Sequence, residues 1–111
     1  MLEITIFNDE KVPITINPTD DAGIPATEPA FLDVPTWTVI AGNGGLEVEF
    51  DGRSAFCVST NTEGDTTYLV NAINRLGVTI TDNVLVHTIL RPIVVVATQL
   101  GLTAGPPVPV V

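Results

Sequence analysis

The chain has 111 residues, of which 45% are hydrophobic and 15% charged, and its mean hydropathy is +0.41. This length suits one domain, and the apolar content is too high for an intrinsically disordered chain. The formal charge of -9 comes from 13 acidic and 4 basic residues, which disfavours binding to nucleic acid or to anionic lipid. The longest apolar run, Ile93 to Ala97, is far shorter than the ~20 residues of a membrane-spanning helix. The composition therefore predicts one acidic domain with neither a nucleic-acid nor a membrane partner.

The charge is distributed unevenly along the chain. The first 51 residues contain ten acids and one base, Lys11, whereas no acid follows Asp82. An acidic, solvated surface that keeps the domain soluble is the simplest interpretation. The alternative is an acidic face toward a basic or cation-bridged partner, with a neutral apolar C-terminal arm that contacts something else.

The start of the chain and its cysteine content indicate the cellular compartment in which the chain is made. Residues Met1 to Glu3 carry no basic segment, and no long apolar stretch of the kind found in signal peptides follows them. The single cysteine, Cys57, rules out a disulfide within the chain, so nothing marks an oxidising compartment. We therefore expect synthesis in a cytoplasm.

Turn-forming glycines and prolines recur so often that no window of about 10–12 residues keeps a helical periodicity. The segments between the turns alternate apolar and polar residues or are rich in β-branched ones, as strands are. Pro13 lacks the N–H that a central strand donates, so its strand is predicted at a sheet edge. Strands at intervals of about ten residues predict an all-β antiparallel sandwich. The predicted strands are 2–6, 12–16, 36–40, 46–50, 54–60, 66–73, 78–90 with a bulge at Asp82-Asn83, and 93–97.

Four short motifs occur in the order found in bacterial immunoglobulin-like domains. They are the stretch Pro18 to Ala26, the triplet Pro35-Thr36-Trp37, the turn Asp51-Gly52 followed by Ser54, Phe56 and Val58, and the strand Glu63 to Ala72. Over roughly residues 12–90 the chain resembles that family, although the glycine-rich loop 42–45 and the apolar tail depart from its pattern. The resemblance implies an immunoglobulin-like domain over residues 1–91 that lacks catalytic residues. The family is frequent in bacterial surface proteins and in phage virion proteins.

The resemblance also places the indole of Trp37 across the core of the sandwich. The alternation of apolar positions extends this expectation to the other aromatic residues, and packing in the core is favoured over an exposed carbohydrate platform. The predicted structural core consists of Trp37, Phe50, Phe56, Val58, Tyr68 and Val70.

Groups able to perform catalysis are scarce. His87 is predicted to share a strand face with Leu85 and Ile89, and a structural imidazole is favoured over a general base because no activated nucleophile is apparent. Cys57 lies in an apolar run and is predicted to be a buried small hydrophobe. We therefore predict no catalytic residue and no cofactor, and we predict that the chain is not an enzyme.

Two loop regions leave alternatives open. Asp20 and Asp21, with Asp33 or Asp51, suggest a calcium site, but no regular spacing supplies the six to eight oxygens that calcium prefers. No metal is therefore predicted. The loop Gly42-Asn43-Gly44-Gly45 lacks the lysine and following helix of a phosphate cradle, and it is predicted to be a flexible contact loop.

Residues 92–111 carry no charged side chain and are apolar and β-prone, with prolines concentrated at the end. Such a segment would promote aggregation if it stayed exposed to water. It is therefore predicted to be a C-terminal strand and Pro-rich extended arm that docks on the domain's own sheet, on a second copy or on another protein. The predicted contact residues are Leu100, Leu102, Pro106, Pro107, Val108 and Val110.

These features together predict a non-enzymatic structural protein of a phage particle, made in the host cytoplasm and located in the virion at the capsid surface or tail. It would decorate or cement the particle as a homo-oligomer, with a trimer favoured and the major capsid protein or another virion protein as partner. The alternative is a carbohydrate- or receptor-binding adhesin-type module that uses the loops around Gly42–Gly45 and Glu63-Gly64.

Overall fold

The computed structural model describes residues 1–27, 30–92 and 96–110. Within these ranges the chain is all-β, and no helix there is long and apolar enough to cross a membrane. The strands are β1 (Leu2–Phe7), β2 (Lys11–Thr15), β3 (Thr36–Ala41), β4 (Gly45–Val48), β5 (Ser54–Val58), β6 (Gly64–Ile73) and β7 (Thr79–Ile89).

The strands form two sheets that face each other. The large sheet has the order β1-β7-β6-β3 and the small sheet the order β2-β5-β4. This arrangement is an immunoglobulin-like sandwich, in which the second, fifth and fourth strands oppose the third, sixth and seventh. The predicted fold class is thus confirmed, and β2, which carries Pro13, is an edge strand as expected.

One strand pair departs from the antiparallel prediction. β1 runs parallel to β7, with Leu2 opposite Val84 and Phe7 opposite Ile89. The reason is that the short connection at residues 8–10 carries the chain from the large sheet into the small one instead of folding it back as a hairpin. β1 therefore adds to the large sheet beside the last strand.

The core lies between the two inner faces. Its fully buried members are Cys57, with no exposed surface, and Tyr68, which is 1% exposed. The Tyr68 hydroxyl donates a hydrogen bond to the Gly45 carbonyl across the sandwich at 3.1 Å, so the polar tip of the ring is also satisfied. The buried cluster comprises Ile6, Cys57, Tyr68, Val84 and Val86, against which Ile4, Val12, Ile14, Val39 and Leu46 pack. The predictions that Tyr68 and Cys57 are buried are confirmed.

The prediction that Phe50 belongs to the core is wrong, since its side chain is 102% exposed. The pairing of β4 with β5 ends at Val48, and the Gly52 N–H then donates to the Glu49 carbonyl at 2.9 Å to close a tight turn. Phe50 lies at the tip of that turn, where the alternation of the strand no longer applies.

Phe56 and Val58 were also predicted in the core, but they lie on the outer face of the small sheet. The residues of β5 that point inward are Ala55 and Cys57, and these are buried while Phe56 and Val58 are only partly covered. Lys11 lies over the Phe56 ring, 4.4 Å from its centroid, and shields it from solvent.

The irregularity in the large sheet is not at the predicted position. β7 pairs with β6 without interruption through Asp82 and Asn83. All ten residues of β6 face β7 in continuous register. The bulge lies instead in β3, between Val39 and Ala41. Of the predicted strand 93–97, residues 93–95 lie outside the described ranges, and Val96 and Ala97 belong to no strand.

The glycine-rich connection between β3 and β4 is packed against β6 and is not a free tip. The Gly44 N–H donates to the Thr66 hydroxyl at 3.0 Å. A Cβ atom at Gly44 would meet the Tyr68 hydroxyl and the Thr66 side chain, and one at Gly42 would meet the backbone at Asp65. Glycine is therefore required here for close approach of two chain segments.

The burial of Cys57 provides a probe of folding. Desolvation raises the pKa of this thiol to about 11, and the thiolate is the species that reacts with alkylating and disulfide reagents. We expect a thiol reagent at pH 8 to leave the native chain unmodified over hours and to label it rapidly in denaturant. Rapid labelling of the native chain would show that the two sheets open around β5.

Candidate interaction site

The described part of the C-terminal arm, residues 96–110, contains no strand and is exposed along its whole length. The molecule measures 95 × 28 × 23 Å and has a radius of gyration of 24.6 Å, whereas a compact domain of this length has a radius of about 13 Å. All six residues predicted to contact a partner lie in this segment and contact solvent. The exposed fractions are 88% for Leu100, 87% for Leu102, 80% for Val108 and 104% for Val110.

Arg91 fixes the point at which the chain leaves the sandwich. Its guanidinium binds the Asp9 carboxylate through two nitrogens at 2.9–3.1 Å, and its backbone N–H donates to the Asn8 side chain at 2.9 Å. The same guanidinium lies 4.4 Å from the centroid of the Phe7 ring. Two-point binding of a carboxylate restricts orientation as well as distance. We call this group the arm anchor.

The hydrogen bond from Arg91 holds the pKa of Asp9 below its ordinary value. A lowered carboxyl pKa in the folded state contributes stability above the unfolded pKa, and this contribution is lost as the pH falls through the folded pKa. The arm anchor is therefore intact at neutral pH.

A cleft of about 290 Å³ opens between the two sheets at the end of the sandwich opposite the arm anchor. The parallel register of β1 and β7 places Leu2 and Val84 at one end of the large sheet and Phe7 and Ile89 at the other. The cleft lies at the first of these ends. Its apolar lining includes Leu2, Ile14, Trp37, Val70, Ile80 and Val84.

Two of the predicted core residues line this cleft. Trp37 and Val70 are partly buried on the inner face of the large sheet. The Trp37 indole N–H donates to the Gly52 carbonyl at 2.8 Å, which fixes the ring across the end of the sandwich. Leu2 and Ile80 form the rim, where they are 48% and 49% exposed. The cleft thus combines a fixed indole and an accessible apolar rim with polar lining residues that include Asp82 and Asn83.

His87 forms a second group, on the outer face of the large sheet. As predicted, it shares a face with Leu85 and Ile89, while the alternate residues of β7 are buried. Its Nδ1 lies 2.8 Å from an Asp65 carboxylate oxygen, and its Nε2 lies 3.8 Å from an oxygen of Glu3. Both ring nitrogens therefore face carboxylates, an arrangement that favours a charged structural imidazole over a general base.

The hydrogen bond with Asp65, with a smaller effect from Glu3, raises the pKa of His87 above 6.5. Since the chain has one histidine, an NMR pH titration will give a single imidazole resonance to follow. We expect its midpoint to exceed 6.5 in the native chain and to decrease in Asp65→Asn. The raised pKa stabilises the fold below pH 6.5, and this contribution disappears as the pH rises through the folded value. A midpoint at or below 6.5 would contradict the observed pairing.

Three of the four acids considered for calcium are engaged separately in their own turns. The Asp20 carboxylate accepts from the N–H groups of Ala22 and Ile24, at 2.9 and 3.0 Å. Asp33 accepts from the next backbone N–H, and Asp51 accepts from the Arg53 N–H. In residues 1–27, 30–92 and 96–110, no three side chains among His, Cys, Asp and Glu lie together as a metal-binding group.

Sequence reasoning identified the arm but missed both the arm anchor and the cleft. Arg91 is the last charged residue before the neutral tail, which was the available signal for an anchoring role. No sequence signal pairs it with Asp9, more than 80 residues earlier. The cleft had no signal either, because its residues come from strands far apart in the chain.

Neither a protein-family model nor a curated protein sequence matches the chain. Among solved structures, it is similar to part of the 2,6-sialyltransferase of Photobacterium sp. JT-ISH-224, crystallised with CMP and lactose. The two are 16% identical with a TM-score of 0.57, and the similarity covers 80% of this chain and 17% of the enzyme chain. The chain therefore spans less than a fifth of that enzyme, and at this identity the similarity indicates a shared fold alone.

Proposed function

We propose that this chain is a non-enzymatic structural protein of a phage particle, which decorates or cements the capsid or tail and attaches through its C-terminal arm. The observation that carries the proposal is the arm itself. Its apolar side chains are almost fully exposed between residues 96 and 110. In soluble proteins, a contiguous exposed apolar surface of this kind marks an interaction site. An arm of this kind gains apolar burial, and in extended form ladder hydrogen bonds, when it meets a partner.

The charge distribution and the arm anchor support the same function. No acidic residue follows Asp82 in the sequence, and residues 92–111 carry no charged side chain. The arm can therefore approach an acidic neighbour without like-charge repulsion. Arg91 fixes the arm to the β1–β2 connection. A load on a docked arm would thus be transmitted directly to a folded domain, as attachment to a particle requires.

The test is the composition and structure of the particle. Mass spectrometry of purified phage from the source should detect the chain in a fixed ratio to the major capsid protein. Cryo-electron microscopy should then show the sandwich on the capsid or tail, as a trimer or another symmetric oligomer, with the arm in contact with a second chain. Absence of the chain from every assembled particle would refute the proposal.

One observation favours the alternative function, a carbohydrate- or receptor-binding module. The loops at Gly42–Gly44 and Thr62–Asp65 are neighbours in the structure and line one shallow depression with polar side chains. Its volume of about 50 Å³ is well below the roughly 300 Å³ at which small-molecule sites begin, so this function ranks second. A glycan array probed with the full chain distinguishes the two, since binding removed by Glu63→Ala would favour the module.

A further inference from the structure

The arm and the cleft lie at opposite ends of the sandwich and are both open to solvent. The arm is apolar, and the lining of the cleft is mainly apolar, with Asp82 and Asn83 among its polar residues. We propose that the C-terminal arm of one copy inserts into the inter-sheet cleft of a second copy, so that the chains join head to tail. This inference rests on the proposed function in one respect, namely that the arm is a docking element. It goes beyond that function by identifying the surface to which the arm binds.

The shape of the molecule favours a second copy over the chain's own arm. The arm leaves beside Phe7 and Arg91, whereas the cleft begins beside Leu2 and Val84. The arm extends away from the sandwich, since the longest dimension of the molecule is more than three times either of the others. Fifteen residues at the ~3.1 Å rise of an extended proline-rich chain span about 47 Å, about half of the 95 Å length of the molecule. The arm therefore projects far enough to reach the cleft of a neighbouring copy.

The cleft and the arm also match in chemistry. The cleft volume of about 290 Å³ is about twice the ~150 Å³ of an apolar cavity that holds benzene, and therefore accommodates a few aliphatic side chains. The arm offers such side chains at Leu100, Leu102 and Val108, with no charge to desolvate. Its prolines restrict the backbone before binding, which lowers the entropic cost of ordering it.

Head-to-tail docking determines the kind of assembly that the copies form. An arm that enters the opposite end of the next domain makes a heterologous contact, in which two different surfaces meet. Such contacts close into a ring, including a trimer, when the rotation between copies allows it and otherwise continue as a filament. Each copy has one arm and one cleft, so every internal copy both donates and receives.

Two full-length variants separate the donor from the acceptor surface. Ile80→Glu introduces a charge at the half-exposed rim of the cleft and leaves the arm intact. Leu100→Glu combined with Leu102→Glu introduces charges into the arm and leaves the cleft intact. Sedimentation velocity should show each variant as a monomer, and an equimolar mixture should form a heterodimer, because the intact arm of the first enters the intact cleft of the second.

Val78→Glu is the matched control, since Val78 is exposed to a similar degree two residues away but does not line the cleft. It should assemble as the native chain does. Leu2→Glu provides a second cleft variant if Ile80→Glu labels at Cys57 and is therefore unfolded. A monomeric native chain, a mixture that stays monomeric, or cleft variants that assemble normally would each overturn the inference. The proposed function fails separately, if the native chain does not bind the source particle.

Discussion

Deletion of residues 99–111 will abolish assembly of the chain and leave the sandwich folded. The deleted residues that the structure describes are exposed and belong to no strand, so their removal uncovers no core. The cut lies beyond Arg91 and therefore spares the arm anchor. We expect the free energy of unfolding to change by no more than about 0.5 kcal/mol, the range typical of changes at exposed sites.

The measurement combines sedimentation velocity with labelling of Cys57. The shortened chain should sediment as a monomer at concentrations where the native chain assembles, and its thiol should stay protected. A full-length chain with Gln99→Glu and Thr103→Glu is the matched control, because it adds two charges to the arm at polar positions. It should assemble better than the variant with charges at Leu100 and Leu102. A shortened chain that labels rapidly would instead identify the arm as part of the core.

Gly44→Ala will destabilise the sandwich strongly, although it adds only one methyl group. The added Cβ would collide with the Tyr68 hydroxyl and the Thr66 side chain, and both partners are held in place, since Tyr68 is 1% exposed and Thr66 is 5% exposed. Overpacking of this kind costs about 1–3 kcal/mol. The Gly44 hydrogen bond to the Thr66 hydroxyl would have to shift at the same time.

Thermal unfolding measures this effect, at about 4–8 °C for each kcal/mol in a domain of this size. Gly105→Ala is the matched control, because nothing lies within 4 Å of a Cβ at that position. It should leave the melting temperature within about 2 °C of the native value. Equal melting temperatures for the two variants would mean that the β3–β4 connection is not packed against β6 and is a flexible loop, as predicted from the sequence.

The sequence located most of the strands because turns and alternation are local signals. β2, for example, is marked by the alternation of Val12 and Ile14 and by Pro13, which confines it to an edge. The face of β5 was not predictable, since Ala55, Phe56, Cys57 and Val58 leave both faces apolar. Pairing with β2 and β4 decides which of them point inward.

The arm and the cleft, which together form the candidate site, also differ in whether the sequence predicts them. The arm was predictable from composition, because a neutral apolar tail after an acidic domain stands out in any sequence. The cleft was not, because Leu2, Trp37 and Ile80 meet only after the sheets have formed. The parallel pairing of β1, which places the cleft and the arm anchor at opposite ends, also depends on a connection that crosses between sheets and has no local signature.

The fluorescence of Trp37 tests most directly whether an arm occupies the cleft. Trp37 is the single tryptophan of the chain and lines the cleft, so displacement of water by an arm should shift its emission to shorter wavelength. The shift should appear as the concentration of the full-length chain rises through the assembly range. It should be absent at all concentrations when Leu100 and Leu102 are both replaced by glutamate. Emission that stays constant while the native chain assembles would contradict the account.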